Sequence, residues 1–291
     1  PGVALATMQN NTTGSYNTVL GGSALGSNTT ADYNIAVGHS AGYSNTTGTS
    51  NTYIGFQAAY YGTTSVNNTA VGFASLLGNS TGSRNTAVGV NSLRANATAT
   101  DNTAVGYQAG YLNTGGSVDA FGAYALDANT TGNYNSAFGR TSLSTNTTGA
   151  SNSGFGRDTL LTNSTGSNNT AVGAFALTSN STASNNTAVG YQALYDNTTG
   201  AHNVALGKQA AFNISTGQKN VAIGSENLYT ATTASSNVAV GYNSLFGTTT
   251  GSYNVGVGEG SLQANTTASN TTAVGYQAMY SNTTGYGTAV G

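Results

Sequence analysis

No cysteine and no tryptophan occur among the 291 residues, proline occurs once, and charged side chains make up 5% of the chain. Without cysteine there are no disulfides and no thiolate ligands. A formal net charge of −2 removes the usual electrostatic route to nucleic acid or to an anionic membrane. No apolar run approaches the roughly 20 residues that span a bilayer, and residues 1–10 lack the positive start and apolar core of a signal peptide.

Catalytic pattern is scarce too. His39 and His202 stand far apart, and the acids Asp32, Asp101, Asp119, Asp127, Asp158, Asp196, Glu226 and Glu259 are scattered without a repeated spacing. Neither a carboxylate dyad nor a metal cluster is suggested. The sequence is therefore read as non-enzymatic, with no cofactor, no metal and no catalytic residue.

What is present is repetition. Asn186-Thr187-Ala188-Val189-Gly190 recurs from end to end with little change. Counting its glycine as position 0, the unit falls at Gly21, Gly38, Gly55, Gly72, Gly89, Gly106, Gly122, Gly139, Gly156, Gly173, Gly190, Gly207, Gly224, Gly241, Gly258, Gly275 and Gly291. The step is 17 residues except from Gly106 to Gly122 and from Gly275 to Gly291, where it is 16. Both short steps follow a Gly-Tyr-Gln-Ala-x-Tyr segment, which suggests a duplicated block of ten repeats. A fixed short period over a whole chain signals a solenoid in which each repeat contacts mainly its neighbours. Glycine (41), asparagine and threonine abound, yet 18 tyrosines, 8 phenylalanines and 37% apolar residues argue against disorder.

The local signals favour strands. Thr-Ala-Val or Val-Ala-Ile is short, rich in β-branched residues and bounded by Asn and Gly, whereas a regular helix would be broken by the Gly and Asn-Thr-Thr-Gly segments. We read positions −4 to 0 as one strand, +1 to +5 as a second, and +6 to +12 as the returning turn. The apolar residue at −1 and the leucine at +4 are taken as the two walls of a thin core, with Val71, Val88, Val105, Val172 and Val189 facing Leu76, Leu93, Leu177 and Leu194. The expected fold is an all-β parallel β-solenoid of about seventeen coils. At about 4.8 Å per coil it would be a rod of roughly 80 Å. Residues 1–291 are read as one continuous repeat domain and as a segment of a longer fibre.

Asn occupies −4 in fourteen of the seventeen units. It is read either as a turn residue or as an inward ladder of side-chain amides. Sequons Asn-x-Ser/Thr recur at +7 (Asn11, Asn28, Asn45, Asn79, Asn96, Asn129, Asn146, Asn163, Asn180, Asn197, Asn265 and Asn282), with others at Asn10, Asn67, Asn168, Asn185, Asn213 and Asn270. The +7 phase is expected to form one exposed edge able to carry glycans. Paired threonines at +8 and +9 suggest an alternative, an ice-binding array. Aromatics at +1 and +5 suggest an exposed stripe suited to a second copy of the chain.

Asn-Thr-Ala-Val-Gly-Tyr-Gln-Ala-Leu, with Asn-Thr-Thr-Gly between copies, resembles the head repeats of trimeric autotransporter adhesins and the repetitive shafts of phage tail fibres. The likeness spans essentially the whole chain. It implies a parallel β-roll on a cell or virion surface, chains associating side by side as a trimer or filament, and adhesion to a cell-surface or glycan receptor.

Overall fold

The computed structural model describes residues 7–283 and 285–291. The chain divides into two compact units, residues 1–148 and 149–291. The first unit holds β1 (Thr18–Leu20), β2 (Ile35–Val37), β3 (Thr52–Ile54), β4 (Thr69–Val71), β5 (Thr86–Val88), β6 (Thr103–Val105), β7 (Val118–Phe121) and β8 (Asn135–Phe138). The second holds β9 (Ser153–Phe155), β10 (Thr170–Val172), β11 (Thr187–Val189), β12 (Val204–Leu206), β13 (Val221–Ile223), β14 (Val238–Val240), β15 (Val255–Val257), β16 (Thr271–Val274) and β17 (Gly287–Val290). Within each unit every strand pairs in parallel with the strand of the next repeat, so that Thr69, Ala70 and Val71 lie beside Thr86, Ala87 and Val88. Each unit is an all-β parallel β-solenoid with a 17-residue coil.

The short repeats keep this register. Ala104 still lies beside Ala120, and Ala273 beside Ala289, because the missing residue is taken from the loop ahead of the strand. Beyond the strands the ladder continues through the bends. The Leu25 amide donates to the Ala41 carbonyl (3.0 Å) and that of Thr29 to Thr46 (3.0 Å), each one coil on. This leaves few backbone groups without partners, as an interior so thin requires.

One strand per coil forms, not two. Positions +1 to +5 bend instead, because +2 and +4 adopt left-handed backbone, as at Gln192 (φ 55) and Leu194 (φ 50). A strand points successive side chains to opposite faces. The left-handed residue breaks that alternation and sends +3 and +4 inward together, so Ala193 and Leu194 are both fully buried.

The interior also differs from the sequence reading at the strand. Position −2 faces in: Ala70, Ala87, Ala104, Ala171 and Ala188 are fully buried. Val71, Val88, Val105 and Val189 stack in register but are only half-buried, and Val172 is 37% exposed. The valines therefore form an outer ladder rather than a core ladder. Parity is the cause. Residues −4 and −2 share a face, and burying the amide at −4 brings the alanine in and turns the valine out. Leu76, Leu93, Leu177 and Leu194 lie at the centre, fully buried.

Glycine at 0 is required by close approach. At Gly38 (φ 131) an added Cβ would lie 2.5 Å from the Gly55 carbonyl oxygen of the next coil.

Candidate interaction surface

Two columns of asparagine line the interior. At −4, the Asn51 side-chain amide donates to the Ser65 carbonyl (2.9 Å), while its Oδ1 accepts the Asn68 backbone N–H (2.9 Å). The same pair of bonds recurs at Asn186, to Gly200 (2.9 Å) and from Asn203 (2.8 Å). The −4 asparagines are thus an inward ladder that couples each coil to the next.

The +7 asparagines are the second column, and here the expectation of an exposed edge is overturned. Asn28, Asn45, Asn79, Asn96, Asn129, Asn146, Asn163, Asn180, Asn197 and Asn265 are all fully buried. Asn180 shows why. Its Nδ2 donates to Asn163 Oδ1 (2.8 Å) and to the Ala183 carbonyl (3.0 Å), and its Oδ1 accepts from Asn197 Nδ2 (2.8 Å). An amide committed in this way has no room for a sugar. Asn11 and Asn282 are partly exposed but donate to Gly14 and Gly285 (2.9 Å each), and Thr284 of the Asn282 sequon lies outside the described residues. Exposed sequon asparagines occur instead at −5, at Asn67, Asn168, Asn185 and Asn270. Asn213 is partly exposed, and Asn10 is exposed but donates to the Gly26 carbonyl (2.9 Å).

Of the paired threonines, the +8 hydroxyls serve the ladder, as Thr46 Oγ1 donates to the Thr63 carbonyl (3.1 Å). Those at +9, such as Thr30, Thr47 and Thr64, are exposed in single file.

The outer side of the strands pairs an apolar column at −1 with a −3 column that is largely Thr in the first unit and Thr or Val in the second. Positions −3 and −1 face out, and +1 follows them around the bend. Ile54 and Phe73 in the first unit are 39% and 51% exposed; Ile223 and Tyr242 in the second are 41% and 49% exposed. Coil stacking puts like rings one above another: Phe56 and Phe73 stack at 5.3 Å between centroids, Phe121 and Phe138 at 4.6 Å. On the +5 column Tyr195, Phe212, Tyr229 and Phe246 make a continuous stack at 5.1, 5.2 and 5.3 Å. These +5 rings are half-buried and belong to the fold; the +1 rings stand in solvent. The sign that −1 faces out was present in the sequence. Its side chain varies from Val to Phe, a change of volume that a close-packed interior resists.

Charged groups do not converge. The ion pairs are local: Arg84–Asp101 (2.6 Å), Arg157–Asp158 (2.7 Å) and Lys208–Glu226 (3.3 Å). His39 stacks on Phe56 at 5.5 Å and bonds Ser40 Oγ (3.0 Å), whereas His202 is exposed. Burial raises the carboxyl pKa of Asp127 and of Asp196 above the usual range, and the Arg84 side chain lowers that of Asp101. Among the described residues there is no cavity, and no group of three or more His, Asp or Glu is placed to hold a metal ion. Among the described residues, no helix is long and apolar enough to cross a membrane.

Compared with known proteins, the chain matches no family model, no curated protein and no solved structure. The fold itself defines the class, a parallel β-solenoid repeat protein whose interior stacks Asn columns beside Ala and Leu columns and whose outer sheet face carries an apolar column at −1.

Proposed function

We propose that the chain is a structural segment of an extracellular fibre or adhesin, and that copies of it associate through the outer sheet face. One observation carries this reading. In each unit an unbroken column of Val, Ile, Leu or Phe at −1 lies half-exposed along the coils, with aromatics at some of the +1 positions beside it (Phe56, Phe73 and Tyr107 in the first, Tyr191, Tyr242 and Tyr276 in the second). Contiguous apolar surface of this kind marks an interaction site. A stack of coils needs no catalytic group to perform such a role, since backbone ladders and amide columns transmit load from coil to coil. Ice binding has less support, because half of the paired threonine hydroxyls are spent on the ladder. The resemblance to surface-fibre repeats favours a cell or virion surface and an adhesive role.

The test is the solution mass across a concentration series, with electron microscopy of the same sample. An assembly is expected for the natural chain. Ile54→Lys combined with Ile223→Lys, both on exposed strand positions, is expected to give a folded chain of lower mass. A natural chain that stays monomeric at every concentration would overturn the proposal.

A further inference from the structure

The outer face of the second unit reads nearly the same in both directions along the solenoid. Its −3 column, taken from β9 to β17, is Ser153, Thr170, Thr187, Val204, Val221, Val238, Val255, Thr272 and Thr288. The four valines sit in the middle, with threonines on either side. The centre of this pattern lies between β13 and β14. Beside the valines the −1 column gives Leu206, Ile223, Val240 and Val257, so four consecutive strands present aliphatic side chains at both outward positions.

The +1 column carries the matching charges. Lys208 and Glu259 stand at opposite ends of this block, with Ser225 and Tyr242 between them and Tyr191 and Tyr276 just beyond. Both charged side chains are exposed. Three rungs separate them, about 14 Å at the spacing of paired strands, so they do not meet within one chain. Lys208 has a partner in Glu226 at 3.3 Å, itself partly exposed.

We infer that this face is built to meet a second copy of the chain end for end, in an antiparallel two-fold pair. The inference rests on the self-association proposed above and specifies its geometry. A two-fold axis running along the strand direction between β13 and β14 reverses the order of the coils but keeps each column on itself. It brings Lys208 against the partner's Glu259 and Glu259 against the partner's Lys208. Val204 then meets the partner's Val255, and Tyr191 the partner's Tyr276. Such an interface is isologous, each contact occurring twice. A parallel pair would not set this lysine against this glutamate. Six rungs of five residues cover roughly 450 Å² per partner, about half of a standard interface. The pairing is accordingly weak and is assayed at high protein concentration.

The test is sedimentation equilibrium of three charge variants of the full chain, run alone and mixed. Lys208→Glu alone and Glu259→Lys alone each place like charges together twice, and each is expected to weaken association at least tenfold. An equimolar mixture of the two is expected to associate as the natural chain does, since every 208–259 contact again joins opposite charges. Lys219→Glu controls for net charge: it equals Lys208→Glu in charge but lies at the exposed −5 position, away from this face. It is expected to associate with itself as the natural chain does and, mixed with Glu259→Lys, to leave that variant largely unpaired. Circular dichroism confirms that each variant is folded. If the natural chain associates and the single variants do so equally well, antiparallel pairing is wrong while self-association stands. The same holds if Lys219→Glu draws Glu259→Lys into the assembly as well as Lys208→Glu does. A natural chain that does not associate removes both.

Discussion

Tyr53 occupies an interior position that is alanine in most coils, and its neighbours have changed to admit it. It is fully buried, and its hydroxyl lies 3.4 Å from Ser65 Oγ. Gly42 stands at +4 of the preceding coil, where leucine is usual, and a Cβ there would come within 2.5 Å of the Tyr53 ring. Tyr53→Ala alone is expected to cost about 3–5 kcal/mol through the cavity it leaves, and Gly42→Leu alone to overpack. The double variant returns both positions to the common pattern and is expected to recover most of the loss. Denaturation midpoints of the three chains check this coupling. Asp127 supplies a pH-dependent counterpart. Burial raises its pKa in the folded state, so its contribution is fully present below the unfolded carboxyl value and is lost as pH rises through the folded one. Asp127→Asn is therefore expected to raise the melting temperature at neutral pH, a gain that vanishes below about pH 4.

At the scale of the coil, the amide columns work beside the buried Ala and Leu columns to couple each coil to the next. Asn180→Ala removes two donated bonds and one accepted bond from a fully buried position. The expected loss is about 2–4 kcal/mol, because the groups left behind are unsatisfied. Thr182→Ala deletes the same sequon from an exposed +9 position and is expected to change stability by less than about 0.5 kcal/mol. Denaturant titration of the two unglycosylated variants separates a structural amide from a sugar acceptor. Equal, negligible effects would return Asn180 to the surface.

Over the whole molecule, the period was plain in the sequence, and with it the parallel strands and their register. The inside-out arrangement was harder to read. A three-residue strand such as Thr187–Val189 satisfies alternation in either parity, and valine looks like the core residue beside alanine. Yet apolar side chains are common on protein surfaces, and the informative sign is a buried polar group. That sign was the near-invariance of Asn at −4, against a −1 position that runs from Val189 through Leu206 to Phe155. The bend at +1 to +5 was concealed for another reason. Leu and Gln seldom adopt left-handed backbone, so nothing in Gln192 or Leu194 announces a φ near 50°. The same blind spot hid the +7 amides, because a sequon reads as surface until its Nδ2 is found bonded inside.

The most direct measurement is hydrogen exchange of the asparagine side-chain amides in folded, ¹⁵N-asparagine-labelled chain. Two protected populations are predicted, the −4 and +7 columns, alongside fast exchange at exposed Asn67, Asn168, Asn185 and Asn270. Uniformly fast exchange of every asparagine amide would contradict a solenoid held together by amides on the inside.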